Sequence, residues 1–196
     1  MKKTIALFSA VLLVVIILPV GNANVFADSD DYVDWTWGTA TNDLSVQDFC
    51  STYQSQVSSH YDDWNGIDSD VFFSSYDWRI DMQNLNRDIR IYDYELTGTS
   101  YGLTYIYDKV LGIFVQKNFW DFTGTVDMVK IVLDTRQDGL LSRTTSEQNK
   151  TIVHEIGHAL ALDHPDCGST AIMQQGYSSP AALTIQSHDE TNLETK

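Results

Sequence analysis

The order of apolar patterns along the chain predicts a single α+β domain. Three observations carry that expectation. Short β-rich runs fill residues 71–133, apolar residues at helical spacing precede them over 46–64, and a second helical pattern follows over 146–162. Strands come early and helices frame them. No repeat, low-complexity tract or internal linker breaks residues 28–196, so the 196-residue, 22.2 kDa chain reads as one domain behind a removable leader.

The leader is residues 1–27. Met1-Lys2-Lys3 is a short basic start, residues 5–18 carry no charge, and Pro19, Gly21 and small residues follow, the layout of a secretory signal peptide. The apolar run falls short of the roughly 20 residues a membrane span needs. Cleavage after Ala23 or after Ala27 satisfies the small-residue rule, and the acidic Asp28-Ser29-Asp30-Asp31 beyond favours Ala27. Export and a secreted, extracellular location follow, with no membrane anchor after cleavage.

Residues 32–38 alternate apolar with polar and read as a strand. Asp43 or Ser45 then caps a long helix whose apolar face is Val46, Phe49, Cys50, Tyr53, Val57, Tyr61 and Trp64, and Asn65-Gly66 ends it. Strands are expected over 71–73, 89–96 and 103–107, separated by Gly98, Gly102 and Asp-rich turns. An aromatic loop, Phe119-Trp120-Asp121-Phe122, leads to a strand over 126–133. Polar residues 134–149 form a loop entering the helix at 146–162, and a third helix starts near Pro180 and runs to the C-terminus.

Composition narrows the function. Apolar residues make up 43% of the chain, enough for a core, so a wholly disordered chain is excluded. With 12 Lys and Arg against 27 Asp and Glu, the formal charge is −15 and the pI near 4.4. Such a surface repels a phosphate backbone, so no nucleic-acid partner is expected. The acidic pairs Asp62-Asp63, Asp68-Asp70 and Asp134-Asp138 offer oxygens to Ca2+ but match no EF-hand loop, and solvated turns are the commoner use of such residues. Cys50 and Cys167 either pair as a disulfide, which export permits, or remain thiols.

The chemistry lies in residues 151–165, TIVHEIGHALALDHP. His154 and His158 stand four apart, so a helix projects both from one face toward one metal ion. Glu155 sits one residue on, placed to take a proton from a metal-activated water rather than to ligate. His164 joins them only if the helix stops and the chain turns back, with Asp163 or Asp166 as the substitute ligand. The chain has five histidines, and three of them fall inside the eleven residues 154–164. Three imidazoles leave one coordination position open, the catalytic pattern for zinc. His60 and His188 are isolated and read as solvated surface residues.

HEIGHALALDH resembles the metzincin zinc-protease signature HExxHxxGxxH and is most similar to the matrixin branch. The segment 167–173, CGSTAIM, resembles the Met-turn of that family, with Met173 beneath the ligands. The resemblance covers residues 151–173 by motif and the rest by element order. It implies a metzincin-like catalytic domain: a mixed twisted sheet of about five strands, a long N-terminal helix, an active-site helix, a Met-turn and a C-terminal helix. It also implies catalytic Zn2+ on His154, His158 and His164 with Glu155 as general base, peptide-bond hydrolysis, and protein or peptide substrates for a monomeric enzyme. Residues 103–107 are the expected substrate edge, and residues 172–177 the wall of the main specificity pocket, with Tyr177 as wall rather than catalyst. The family glycine is Ala161 here, where left-handed backbone must turn the chain toward His164, and no cysteine-switch propeptide is present. The competing expectation is an exported, metal-stabilised binding or toxin-like module without hydrolysis. Glu155 discriminates, because a structural site has no need of a carboxylate there.

Overall fold

A six-stranded mixed sheet seats one buried helix. The computed structural model describes residues 32–38, 43–78, 88–177 and 182–194. The leader and Pro180 lie outside the described residues. In chain order the elements are β1 (Thr36–Trp37), β2 (Leu44–Asp48), α1 (Gln54–His60), β3 (Phe73–Trp78), β4 (Ile89–Tyr94), β5 (Gly102–Val110) and β6 (Ile113–Lys117). There follow β7 (Thr125–Val126), β8 (Met128–Asp134), α2 (Thr145–Ala159) and α3 (Ser187–Glu194). The sheet order is β3-β2-β4-β8-β5-β6, while β1 and β7 form a separate parallel pair. Strands β3, β2, β4 and β8 are parallel, and β5 runs antiparallel to β8 and β6. Among the described residues, no helix is long and apolar enough to cross a membrane.

Strand alternation sends Val46, Ile89, Ile91, Ile106, Val129, Ile131 and Leu133 into one core cluster with Ile152 and Ile156 of α2. Each such side chain contributes about 1.5–3 kcal/mol by leaving water. Helix α2 starts where Thr144 and Glu147 cap each other reciprocally: Glu147 N–H donates to Thr144 Oγ1, and Thr144 N–H donates back to Glu147 Oε2. From Lys150 to Ala159 every residue of α2 is buried. The helix is a central strut rather than a surface element.

The expected α+β class holds, with six strands in the main sheet. The long helix from Asp43 or Ser45 to Trp64 does not form. Its first part is β2, buried along its whole length between two parallel neighbours, and only the seven residues of α1 are helical. The alternation Leu44-Ser45-Val46-Gln47 is short, and Val46 also stands at helical spacing from Phe49 and Cys50 beyond the strand, so it joined a helical-looking series. Residues 32–38 are a strand only at β1, with an isolated bridge from Tyr32 to Leu162. The run 71–73 is displaced to β3, 126–133 divides into β7 and β8, and α3 begins at Ser187. Strand β6 had no counterpart in the expected elements. Cys50 and Cys167 are both free thiols.

Candidate metal centre and active-site cavity

Helix α2 places His154 and His158 on one face, and its C-terminus delivers His164. Ala161 N–H donates to His158 O, and Leu162 N–H donates to Gly157 O, the paired bonds of a Schellman ending. Ala161 itself sits at φ 66, the left-handed conformation that the turn demands. The chain then doubles back. His164 Nε2 lies 3.2 Å from both His154 Nε2 and His158 Nε2. Tetrahedral metal–nitrogen bonds of about 2.0–2.1 Å span a similar nitrogen–nitrogen separation.

The protons are placed for a cation. A carbonyl only accepts, so His154 Nδ1–H donates to Ile172 O at 2.9 Å and His158 Nδ1–H donates to Leu162 O at 2.8 Å. Each neutral ring therefore turns a bare Nε2 lone pair toward the shared point. Burial, reinforced by the neighbouring histidines, holds His154 well below the usual imidazole range. Burial takes His158 down to about 3 and also lowers His164. Among the described residues, His154, His158 and His164 are the one group of three or more His, Cys, Asp or Glu side chains gathered at metal-ligand spacing, and they fit a divalent ion.

Glu155 is 5% exposed, and its Oε2 accepts from Thr104 Oγ1 at 2.6 Å. Burial raises its carboxyl to about 7, with the Thr104 bond pulling the other way. The carboxylate packs so tightly on β5 that a Cβ at Gly102 would fall 2.5 Å from Oε1. Beneath the helix, a Cβ at Gly157 would lie 2.4 Å from Met173 Sδ and 2.9 Å from the Trp64 ring. Met173 thus sits under the turn that joins the two helical histidines. Asp189 of α3 fixes that segment by accepting from the backbone N–H of Ile172, Met173 and Gln186.

These groups open into a cavity of about 570 Å³. Its wall includes Thr104, Trp120, Lys150, Gln175, Gly176 and Tyr177 as well as the histidines and Glu155. Trp120 stands beside His158 and His164, ring centroids 6.1 and 5.8 Å away. The expected edge over 103–107 divides. Residues 106–110 pair with β6, whereas 102–105 pair only with β8, so an open edge faces the cavity along 102–105. Tyr177 is on the wall, its hydroxyl 2.5 Å from Thr151 Oγ1 and its ring near that of Tyr101.

The three histidines and Glu155 come together as the motif suggests; the substitute ligands do not. Asp163 Oδ1 turns back to accept from His164 N–H, and neither Asp163 nor Asp166 belongs to the cluster. His188 is buried beside Cys167 Sγ at 3.5 Å, not solvated, because α3 packs against the segment after the ligands. His60 pairs with Asp63. Asp134 is held by Arg136 and Leu96 N–H, which leaves its oxygens engaged. Thr104, Gly102, Lys150 and Asp189 were missed, since nothing local marks a residue that meets the motif only through the sheet or α3. No family model matches the chain, and no curated protein matches it.

Proposed function

We propose that this chain is an exported zinc endopeptidase of the metzincin type, matrixin-like in its motif. The observation that carries the reading is a buried carboxylate, Glu155, sharing one cavity with three imidazole Nε2 atoms gathered at a common point, those of His154 and His158 bare. A purely structural metal site gains nothing from desolvating a carboxylate beside it. The turn under the histidines, with Met173 against Gly157, is the packing that the Met-turn resemblance leads one to expect.

When bound, zinc supplies a Lewis acid that polarises a carbonyl and makes water acidic enough to be deprotonated near neutral pH. Glu155 takes that proton as attack proceeds. Its affinity, lifted toward neutrality, suits it to hand the proton on to the departing amine. Thr104 donates to Oε2 and so holds the carboxylate in place against β5. An extended peptide adds itself along 102–105 by backbone hydrogen bonds, which aligns its scissile bond with the histidines.

The test is casein cleavage by the mature protein with zinc analysis alongside. Glu155→Gln is expected to retain zinc and lose activity by about 10²–10⁴-fold, the usual worth of a general base. A variant that cuts as fast as the parent overturns the assigned base.

A further inference from the structure

The cavity wall contains a cation that the proposed chemistry does not use. Lys150 lies one helical turn before His154, is 3% exposed, and lines the same cavity. Its ammonium donates to Gln174 O at 2.6 Å and to Gly176 O, and lies 5.4 Å from the Tyr177 ring centroid. Those two carbonyls use two of its three N–H donors. Among the described residues no carboxylate lies within ion-pair distance of it, and Asp189 acts on it only from farther away. Buried charges are ordinarily paired, because desolvating a lone ammonium is costly. Burial lowers Lys150 to about 8, which leaves it charged at neutral pH.

Asp189 acts on Lys150 at longer range, and a second cation, Arg143, lies behind the same aromatic wall. Arg143 packs its guanidinium 5.1 Å from the Tyr177 ring centroid and 4.7 Å from that of Tyr101, two rings that line the cavity, and faces Glu147 at 3.9 Å. Among the described lining residues Glu155 is the only carboxylate, and it is engaged by Thr104. In a chain of net charge −15, Lys150 is the one Lys or Arg among the described lining residues.

We infer that the pocket walled by Lys150 and Tyr177 receives a carboxylate side chain, so that the enzyme selects substrates with Glu or Asp next to the scissile bond. The third N–H of Lys150 donates to that carboxylate and completes the missing ion pair. This rests on the endopeptidase reading for the words "scissile bond", but the preference for a carboxylate can be measured apart from turnover.

Two measurements decide it. Peptides that differ only by Glu, Gln or Lys at each position flanking the cut are given to the zinc-loaded parent, and kcat/KM is compared. The same peptides are titrated into zinc-loaded Glu155→Gln protein by calorimetry. The expected result is at least tenfold preference for Glu over Gln at one flanking position in both assays, falling to within about twofold in Lys150→Met. Equal use of Glu and Gln by the parent, or preference for Lys, overturns the inference without any variant being needed. If the parent cuts nothing while Glu155→Gln still binds the Glu peptide tenfold tighter, the pocket stands and the endopeptidase reading fails. Absence of both cleavage and preference overturns both.

Discussion

Ala161 shows how a single side chain is tolerated against its own backbone preference. An L-residue at φ 66 costs about 1–2 kcal/mol over glycine, and the turn accepts this because His158 O and Gly157 O are both satisfied there. A metal held by His164, on the proposed reading, would offset the strain further. Ala161 is fully buried, so a larger β-branched side chain meets both the conformational penalty and a lack of room. Ala161→Val is expected to lower stability by about 2 kcal/mol or more and to weaken zinc binding at least tenfold, measured by thermal melts and competition with a chelating dye. Retained zinc affinity in that variant would show that His164 does not depend on the turn.

At the scale of elements, the β5–β6 hairpin has the clearest mismatch between residue and geometry. Val110 faces Ile113 across a two-residue loop, and both loop residues are left-handed, Leu111 at φ 52 and Gly112 at φ 84. That loop is the type I′ form, which favours Asn-Gly and disfavours a bulky first residue. Leu111 is 98% exposed and loses nothing by replacement. Leu111→Asn should therefore raise stability by about 1 kcal/mol in urea unfolding with no change in m value; a fall in stability would mean that Leu111 has packing the hairpin geometry does not reveal. The same hairpin explains what could be read in the sequence and what could not. Helix α2 was legible because its cap, apolar face and histidine spacing are all local. Strand β6 was not, since Leu-Gly is a poor turn signal and its strand is half-exposed. Strand β2 was misread because its alternation is only five residues long and Val46 also fits a helical spacing with Phe49, Cys50 and Tyr53. His154, His158 and Glu155 were legible as a four-residue spacing on one helix, whereas Thr104 reaches Glu155 from 51 residues away and Asp189 reaches Met173 from 16, by pairing and packing that no local pattern encodes.

Across the whole molecule, the metal cluster ties folding to pH. Three imidazole nitrogens converge at one point, so metal-free protein retains their mutual crowding, while a bound ion would stabilise the folded state by mass action. Chelation is expected to lower Tm by several degrees, with excess zinc restoring it. The sign of the acid response follows from the lowered imidazoles. In the metal-free fold His158 titrates at about 3 instead of the usual 6.5, so between those values the unfolded chain binds the extra proton. His154 and His164 shift the same way, and their contribution to stability is present above about 6.5 and lost as pH falls. Urea unfolding of chelated protein should show stability declining from pH 6.5 toward 3, and His158→Gln should flatten part of that slope. Zinc-loaded protein should follow a steeper course, since protonation of the imidazoles then also expels the ion. Identical melts with and without chelator, together with an acid slope untouched by His158→Gln, would leave the three histidines with no part in holding the fold.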